Sequence, residues 1–502
     1  MSLKTLHSWF TDTVRRSPNG VALIVAGQKL SYAELDAVSH EMAARVTRAI
    51  GPRRGRIGLF AAGSVAAYAG YLGVLRSGGT VVPMNVDYPA DRNRQVLDLA
   101  GLDAVLVDET RDIGFADDVG VPVITVGADD VQRAARNAPT TSPDDCVDDA
   151  VDPDETAYIL FTSGSTGVPK GVPIRHRNLD AFVRHHLARY QVGPGCRMSQ
   201  TFGLTFDPSV FDMFVAWGGG ATLVVPSRSE LLDPVGFVNQ HALTHWYAVP
   251  SIVSWVRNAG SLDPGSLPTL RRSLFAGEQL TLEQAQAWAT AAPESTIENL
   301  YGPTELSVTV TAYQLPADPS DWPRTSNGTV PIGRIYPHLD HRIDPDTGEL
   351  QVRGPQRFDG YLDPADNEGR FSEPGAQPGS SPSSQAWYRT GDRVSSVDGE
   401  LVHLGRLDEQ VKVMGQRLEL GDVESAVRRW GGIDVVVTAA PGPGGDLQLT
   451  AVYSGIAATP ADLRNRLRPH MPTHMIPTRF VHLYALPLNA NGKVDRRACG
   501  RL

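Results

Sequence analysis

Apolar and polar positions alternate in short blocks over the first 400 or so residues. Apolar runs at 104–107, 123–126 and 221–225 are bounded by Gly, Pro or Asp and separated by stretches with helical spacing. Strands that alternate in this way with helices predict α/β layering. Residues 58–75 hold eighteen positions without a charge, but Gly, Ala and Ser fill about half of them. That composition predicts a buried helix of a water-soluble protein and not a membrane span. The acidic stretch 138–155 and the Ser/Pro/Gly-rich stretch 372–386 read as solvated connectors. From Leu407 the pattern changes to a compact segment with strand signals at 435–439 and 447–452. A boundary is therefore expected at Asp408, between a large N-terminal domain over 1–407 and a small α+β domain over 408–502. No solenoid or propeller period is visible.

A chain of 502 residues exceeds an ordinary single core, which agrees with at least two domains. The net charge of -10 argues against a general nucleic-acid surface, which needs a concentrated cationic face. Cys146, Cys196 and Cys499 have neither metal-ligand nor disulfide spacing, so a reducing cytosol and no structural metal are expected. The first ten residues lack a long apolar core, so no signal peptide is read and a cytoplasmic location is expected. Only five of the 46 basic residues are lysine: Lys4, Lys29, Lys170, Lys412 and Lys493. A lysine kept against an arginine background points to a need for a compact ammonium.

Three of those lysines fall in motifs. Tyr158-Ile-Leu-Phe-Thr-Ser-Gly-Ser-Thr-Gly-Val-Pro-Lys-Gly171 begins as a strand and becomes a run of hydroxyl and glycine residues. Gly164 and Gly167 let backbone N–H groups approach an anion, while Thr162, Ser163, Ser165 and Thr166 add hydroxyl donors ahead of Lys170. This is phosphate-binding chemistry without the spacing of a Walker loop.

With this string the chain resembles the adenylate-forming superfamily of acyl-CoA synthetases, luciferases and nonribosomal-peptide adenylation domains. Asn299-Leu-Tyr-Gly-Pro-Thr-Glu305, Tyr388-Arg-Thr-Gly-Asp392, Gly405-Arg-Leu-Asp-Glu-Gln-Val-Lys412 and Pro487-Leu-Asn-Ala-Asn-Gly-Lys-Val-Asp-Arg496 follow in the family's order. The resemblance implies an α/β N-terminal adenylate-forming core and a C-terminal lid that rotates about Asp408 between two half-reactions. It implies ATP and Mg²⁺, with Glu305 as the metal-anchoring carboxylate. Thr162 through Lys170 would hold the phosphates, Tyr301 would stack on adenine, and Asp392 would accept from the ribose hydroxyls. Arg406 would be a further ribose or phosphate contact, and Gly277, Glu278, Asn299, Gly302 and Thr304 would complete the nucleotide site. Lys493 would bridge the attacking carboxylate and the α-phosphate. Lys412 and Arg417 would line the route of a pantetheine thiol, although Met414 stands where the family often has a basic residue.

The substrate is not fixed by the reaction type. Asp207, in Phe206-Asp-Pro-Ser-Val-Phe-Asp-Met-Phe214, resembles the amino-acid branch, where it pairs with the α-ammonium; its bland alternative is a helix cap. Carrying over the family's pocket positions gives Asp207, Pro208, Phe211, Ser251, Leu274, Ala276, Leu300, Val308 and Thr309. With no charge after Asp207 and a large ring expected to project from Phe211, the set favours a small neutral amino acid, L-alanine first, then serine, glycine, proline or D-alanine. The chain ends nine residues after Lys493, so the acceptor is expected to be a separate phosphopantetheinylated carrier protein. The pattern also resembles stand-alone adenylation enzymes of antibiotic pathways and D-alanine:carrier-protein ligases. An acyl- or aryl-CoA ligase, or a non-catalytic nucleotide-binding protein, stays open as an alternative.

Overall fold

The computed structural model describes residues 3–111, 120–138, 151–163, 168–373, 381–408, 410–429, 434–442, 447–487 and 494–502. Most of the 138–155 connector, part of the 372–386 connector, and the residues Gly164, Ser165, Thr166, Gly167 and Lys493 lie outside them.

Among the described residues two large, mostly parallel sheets carry the N-terminal part. One has nine strands, in the order Arg334–Ile335, Thr311–Gln314, Thr296–Tyr301, Arg272–Phe275, His245–Ala248, Arg197–Ser199, Thr222–Val224, Val21–Val25 and Gln28–Ser31. The other has six, in the order Val123–Val126, Ala104–Asp108, Arg56–Phe60, Thr80–Pro83, Thr156–Thr162 and Lys170–Arg175. The three apolar runs read from the sequence fall on these strands. Residues 58–75 are not one helix: they comprise the end of strand Arg56–Phe60, a turn, and helix Val65–Arg76. Ser64 caps that helix at the N–H of Ala67, so the uncharged run conceals a β-turn-α unit.

Helices Tyr32–Ile50, Val65–Arg76, His176–Tyr190 and Pro208–Gly219 join residues of both sheets in one continuous core, including Leu23, Leu59, Leu106, Leu160, Phe214 and Leu223. Helix Pro208–Gly219 is apolar nearly all round because it is buried nearly all round. Pro208 begins it without forfeiting a hydrogen bond, and Gly220, at φ 86, ends it in the left-handed region.

A five-stranded antiparallel sheet pairs Asp392 directly with Arg406 across strands Trp387–Val397 and Glu400–Arg406. Beyond it, strands Gln410–Val413 and Gln416–Glu419 form a hairpin whose two turn residues, Met414 and Gly415, have φ of 50 and 76. Both signs are those of a type I′ turn, which suits the twist of paired strands. A three-stranded sheet and helices Leu420–Arg428 and Pro460–Leu467 follow, around a separate apolar cluster that runs from Val413 to Ile476. Among the described residues no helix is long and apolar enough to cross a membrane.

Candidate active site

A cavity of about 330 Å³ opens where the sheets, the helix after Asp207 and the 410–419 hairpin meet. Thr162, Ser163, Asp207, Pro208, Ala276, Gly277, Gly302, Thr304, Val308, Asp392 and Arg406 are on its wall, together with Lys412 and Arg417 of the hairpin. Residues separated by hundreds of positions thus converge on one space because strand ends of both sheets point to it.

Asp392 is fixed from three directions. The Tyr301 hydroxyl donates to its Oδ2 (2.7 Å), the Arg406 guanidinium donates to Oδ1 (2.9 Å), and His403 Nε2 lies 3.2 Å from Oδ1. Burial alone would raise this carboxyl, but the His403 hydrogen bond and the Arg406 charge outweigh it and hold it well below the usual range. Tyr301, expected to stack on a base, is buried with its hydroxyl committed to Asp392. Arg406 also grips Asp408 through two nitrogens, at 2.6 and 2.8 Å. Asn299 is committed to structure, donating to the carbonyls of Val330 and Pro331.

Glu305 sits on the short 3₁₀ turn Thr304–Leu306 and is fully buried. One Arg417 nitrogen reaches both of its oxygens (2.9 and 3.1 Å), and the Tyr361 hydroxyl donates to Oε1 (2.6 Å). Desolvation pushes the Glu305 carboxyl up, but Arg417 and the Tyr361 hydrogen bond bring it net below the ordinary value. With these partners in place Glu305 does not fit a divalent cation, which needs free carboxylate lone pairs. No cluster of three metal-ligating side chains occurs among the described residues. Lys170, expected at phosphates, instead pairs with Asp366 at 2.8 Å and lies over the Tyr361 ring. Ser163 donates to the Arg417 carbonyl (2.9 Å). Glu278 accepts from the backbone N–H groups of Gly415 (2.9 Å) and Ser251 (3.0 Å), tying the hairpin turn to helix Ser251–Asn258.

Asp207 does not cap its helix by a side-chain hydrogen bond. Its Oδ2 is sealed from solvent and has no partner. Burial pushes the carboxyl up to about 7, and the Lys412 charge offsets part of that rise. Lys412 feels both Asp392 and Asp207, yet desolvation keeps its ammonium below the ordinary lysine value.

Of the expected substrate residues, Asp207, Pro208, Ala276 and Val308 are on the cavity wall. Phe211 is not the projecting ring that the sequence suggested. It is completely buried, edge-on to Phe182, His186, Tyr190 and Tyr247. Tyr247 is the ring that meets the cavity there, 4.9 Å from both Phe211 and Phe202. Leu274 and Leu300 are buried behind the wall, and the Thr309 hydroxyl bonds with Tyr336 (2.9 Å) and His186 (3.3 Å). Ser251 begins its helix, held by Glu278. His403, Tyr361, Tyr247 and the Arg417–Glu305 pair were not read as site features from the sequence.

Comparison with known proteins bears on this arrangement directly. The AMP-binding enzyme family matches residues 10–362. The chain belongs to that family. It is 34% identical over 515 residues to the L-proline--[L-prolyl-carrier protein] ligase of Pseudomonas fluorescens, covering 99% of each chain. It is 32% identical to a part of tyrocidine synthase 3 of Brevibacillus parabrevis, and 34% identical to a part of the phosphinothricin tripeptide synthetase PhsC of Streptomyces viridochromogenes. The chain spans 8% and 45% of those two relatives. Among solved structures, the Vibrio cholerae adenylation domain AlmE, in complex with glycyl-adenosine-5'-phosphate, superposes with a TM-score of 0.81 at 25% identity, covering 99% of this chain and 97% of that one. IdnL7 matches at 37% identity and a TM-score of 0.70, covering 100% and 99%. The family resemblance and the α/β adenylation fold with a C-terminal sheet subdomain are thereby borne out.

Proposed function

We propose that this protein adenylates a small neutral amino acid with ATP, forming aminoacyl-AMP and pyrophosphate, and passes the aminoacyl group to the phosphopantetheine thiol of a separate carrier protein in the cytoplasm. L-alanine is the first candidate, then serine, glycine, proline and D-alanine. The observation that carries the reading is Asp207: a carboxylate with a sealed, unpartnered oxygen, on the wall of the cavity that also holds Asp392 and Arg406. An isolated buried carboxylate is costly, and a ligand ammonium relieves that cost. The large Tyr247 ring on the cavity wall supports a short side chain. The relative of matching length, named for proline and a carrier protein, supports the substrate class and the separate acceptor.

In this reading Asp207 orients the α-ammonium while Asp392 and Arg406 take the ribose side of the nucleotide. Thr162 and Ser163, both on the cavity wall, take the side of the leaving phosphates, and Lys493 meets the charge that builds as the carboxylate attacks the α-phosphorus. Residues 408–502 act as the lid, with Asp408 at the hinge. An ATP–pyrophosphate exchange panel over the amino acids tests the proposal, with alanine or a similarly small residue expected to lead. Exchange with fatty or aryl acids and consumption of coenzyme A, with no response to amino acids, would return the acyl-CoA ligase alternative.

A further inference from the structure

The turn that carries both Glu305 and Val308 is held in a conformation that its sequence does not favour. Ser307 and Val308 lie consecutively at φ 59 and 75, in the left-handed region. For a β-branched valine this is an outlier that surrounding contacts must impose. The chain doubles back so closely that a Cβ on Gly302 would meet the Val308 carbonyl oxygen and the Thr309 Cα at 2.6 Å.

Gln356 supplies the constraint. It is fully buried, and its amide nitrogen reaches the carbonyls of Leu306 (3.1 Å), Ser307 (3.3 Å) and Thr309 (2.8 Å). The Ser307 hydroxyl donates back to the Gln356 carbonyl (2.7 Å), and Gln356 Oε1 lies 2.6 Å from His338 Nε2. Three carbonyl neighbours fix the amide with its nitrogen toward the turn, so the histidine nitrogen is the donor to Oε1. Glu305 is secured separately, by Arg417, Tyr361 and the Phe358 N–H on its carbonyl (2.9 Å). The amide therefore governs the Val308 half of the turn more than the Glu305 half. Val308 shares the cavity wall with Asp207 and Ala276.

We propose that Gln356 is a positioning residue that sets amino-acid specificity, by holding Val308 in the left-handed conformation that aims its side chain at the substrate. This rests on the adenylation reading above. Without the amide, the Leu306 and Thr309 carbonyls lose this donor, the Ser307 carbonyl keeps only the Thr309 N–H (3.1 Å), and Val308 relaxes toward negative φ, displacing its isopropyl group from the wall.

The test is pyrophosphate exchange with glycine, alanine and valine for the wild type, Gln356→Met, Val308→Gly and the double variant. Methionine keeps the length and removes the donors. Gln356→Met should raise the KM of the preferred amino acid about 10-fold, leave the ATP KM within about 2-fold, and change the ratio of kcat/KM among the three acids. Glycine takes positive φ freely and has no side chain to misplace, so Gln356→Met should hardly alter that ratio in the Val308→Gly background. An equal loss for all three acids with a matching rise in ATP KM would reduce Gln356 to a purely structural role and overturn the proposal. Hydrogen exchange of the 303–309 backbone separates this proposal from the functional reading. If the wild type exchanges pyrophosphate with no amino acid, the adenylation reading fails and the specificity role fails with it, while faster amide exchange in Gln356→Met still marks the clamp as real. Unchanged protection there overturns the clamp whatever the activity.

Discussion

Replacing Asp207 by asparagine should move stability and affinity in opposite directions. The carboxyl is raised to about 7 by burial, with Lys412 offsetting part of the effect. A folded-state value above the unfolded one means that the native state binds more protons between about pH 4 and pH 7, so stability falls as pH rises through that window and stays lower above it. A displacement of this size corresponds to about 4 kcal/mol at most, and relaxation around the buried group brings the expected effect to about 1–3 kcal/mol. Asp207→Asn removes the penalty, so the ligand-free variant should gain about 1–4 °C in Tm at pH 8 and little or nothing at pH 4. A bound ammonium, by contrast, loses its counter-charge in a buried place. Removing one partner of such a pair typically costs about 3–5 kcal/mol, so the amino-acid KM should rise on the order of 10²–10³-fold while the ATP KM holds. Differential scanning fluorimetry at the two pH values and pyrophosphate-exchange kinetics supply both numbers. A lower Tm at pH 8 together with unchanged amino-acid kinetics would refute the reasoning at both steps.

Lys493→Ala should slow aminoacyl-AMP formation about 10²–10⁴-fold, while transfer from supplied aminoacyl-AMP to the carrier survives better; equal losses in both half-reactions would count against a residue used in only one of them. Tyr247→Ala should open the wall that Phe211 only backs and confer exchange with valine or leucine; a wild type that already prefers leucine to alanine would show that Tyr247 does not limit the pocket. Arg417→Ala strips the buried Glu305 of its cation, so Tm should fall by several degrees and carrier loading should drop more than pyrophosphate exchange; the reverse order would place Arg417 in the first half-reaction.

Motif chemistry was legible where a short string does its work within one loop or one strand pair. Asp392 and Arg406 were both read as nucleotide residues, and antiparallel pairing sets them directly opposite each other. His403 escaped because it joins Asp392 only through a register shift between Arg393 and Val394, and a bulge of that kind leaves no period to read. Tyr361 and Arg417 reach Glu305 from 56 and 112 positions away, and nothing in the spacing announces that meeting. Phe211 failed for a different reason. It stands one helical turn after Asp207, which suggests a shared face, but helix Pro208–Gly219 is buried on every side and Tyr247 of the neighbouring strand takes the position in front of it. The uncharged run 58–75 concealed a strand, a turn and a helix because buried strands and buried helices have the same composition.

The cations of the 410–419 hairpin stand beside the carboxylates that the proposed reaction needs for its ligands. Arg417 occupies both oxygens of Glu305, and Lys412 acts electrostatically on Asp207 and Asp392. A buried carboxylate keeps its charge only with a partner, so these cations stabilise the cavity without an ammonium or a nucleotide in it. The same pairing opposes ligand entry, since an incoming cation at Glu305 must displace Arg417 before it finds free lone pairs. Glu278 adds a second tie to the hairpin, because its two oxygens join the Gly415 turn to the start of helix Ser251–Asn258. On the proposed reading, a ligand that binds Glu305 therefore competes with Arg417 for the same lone pairs.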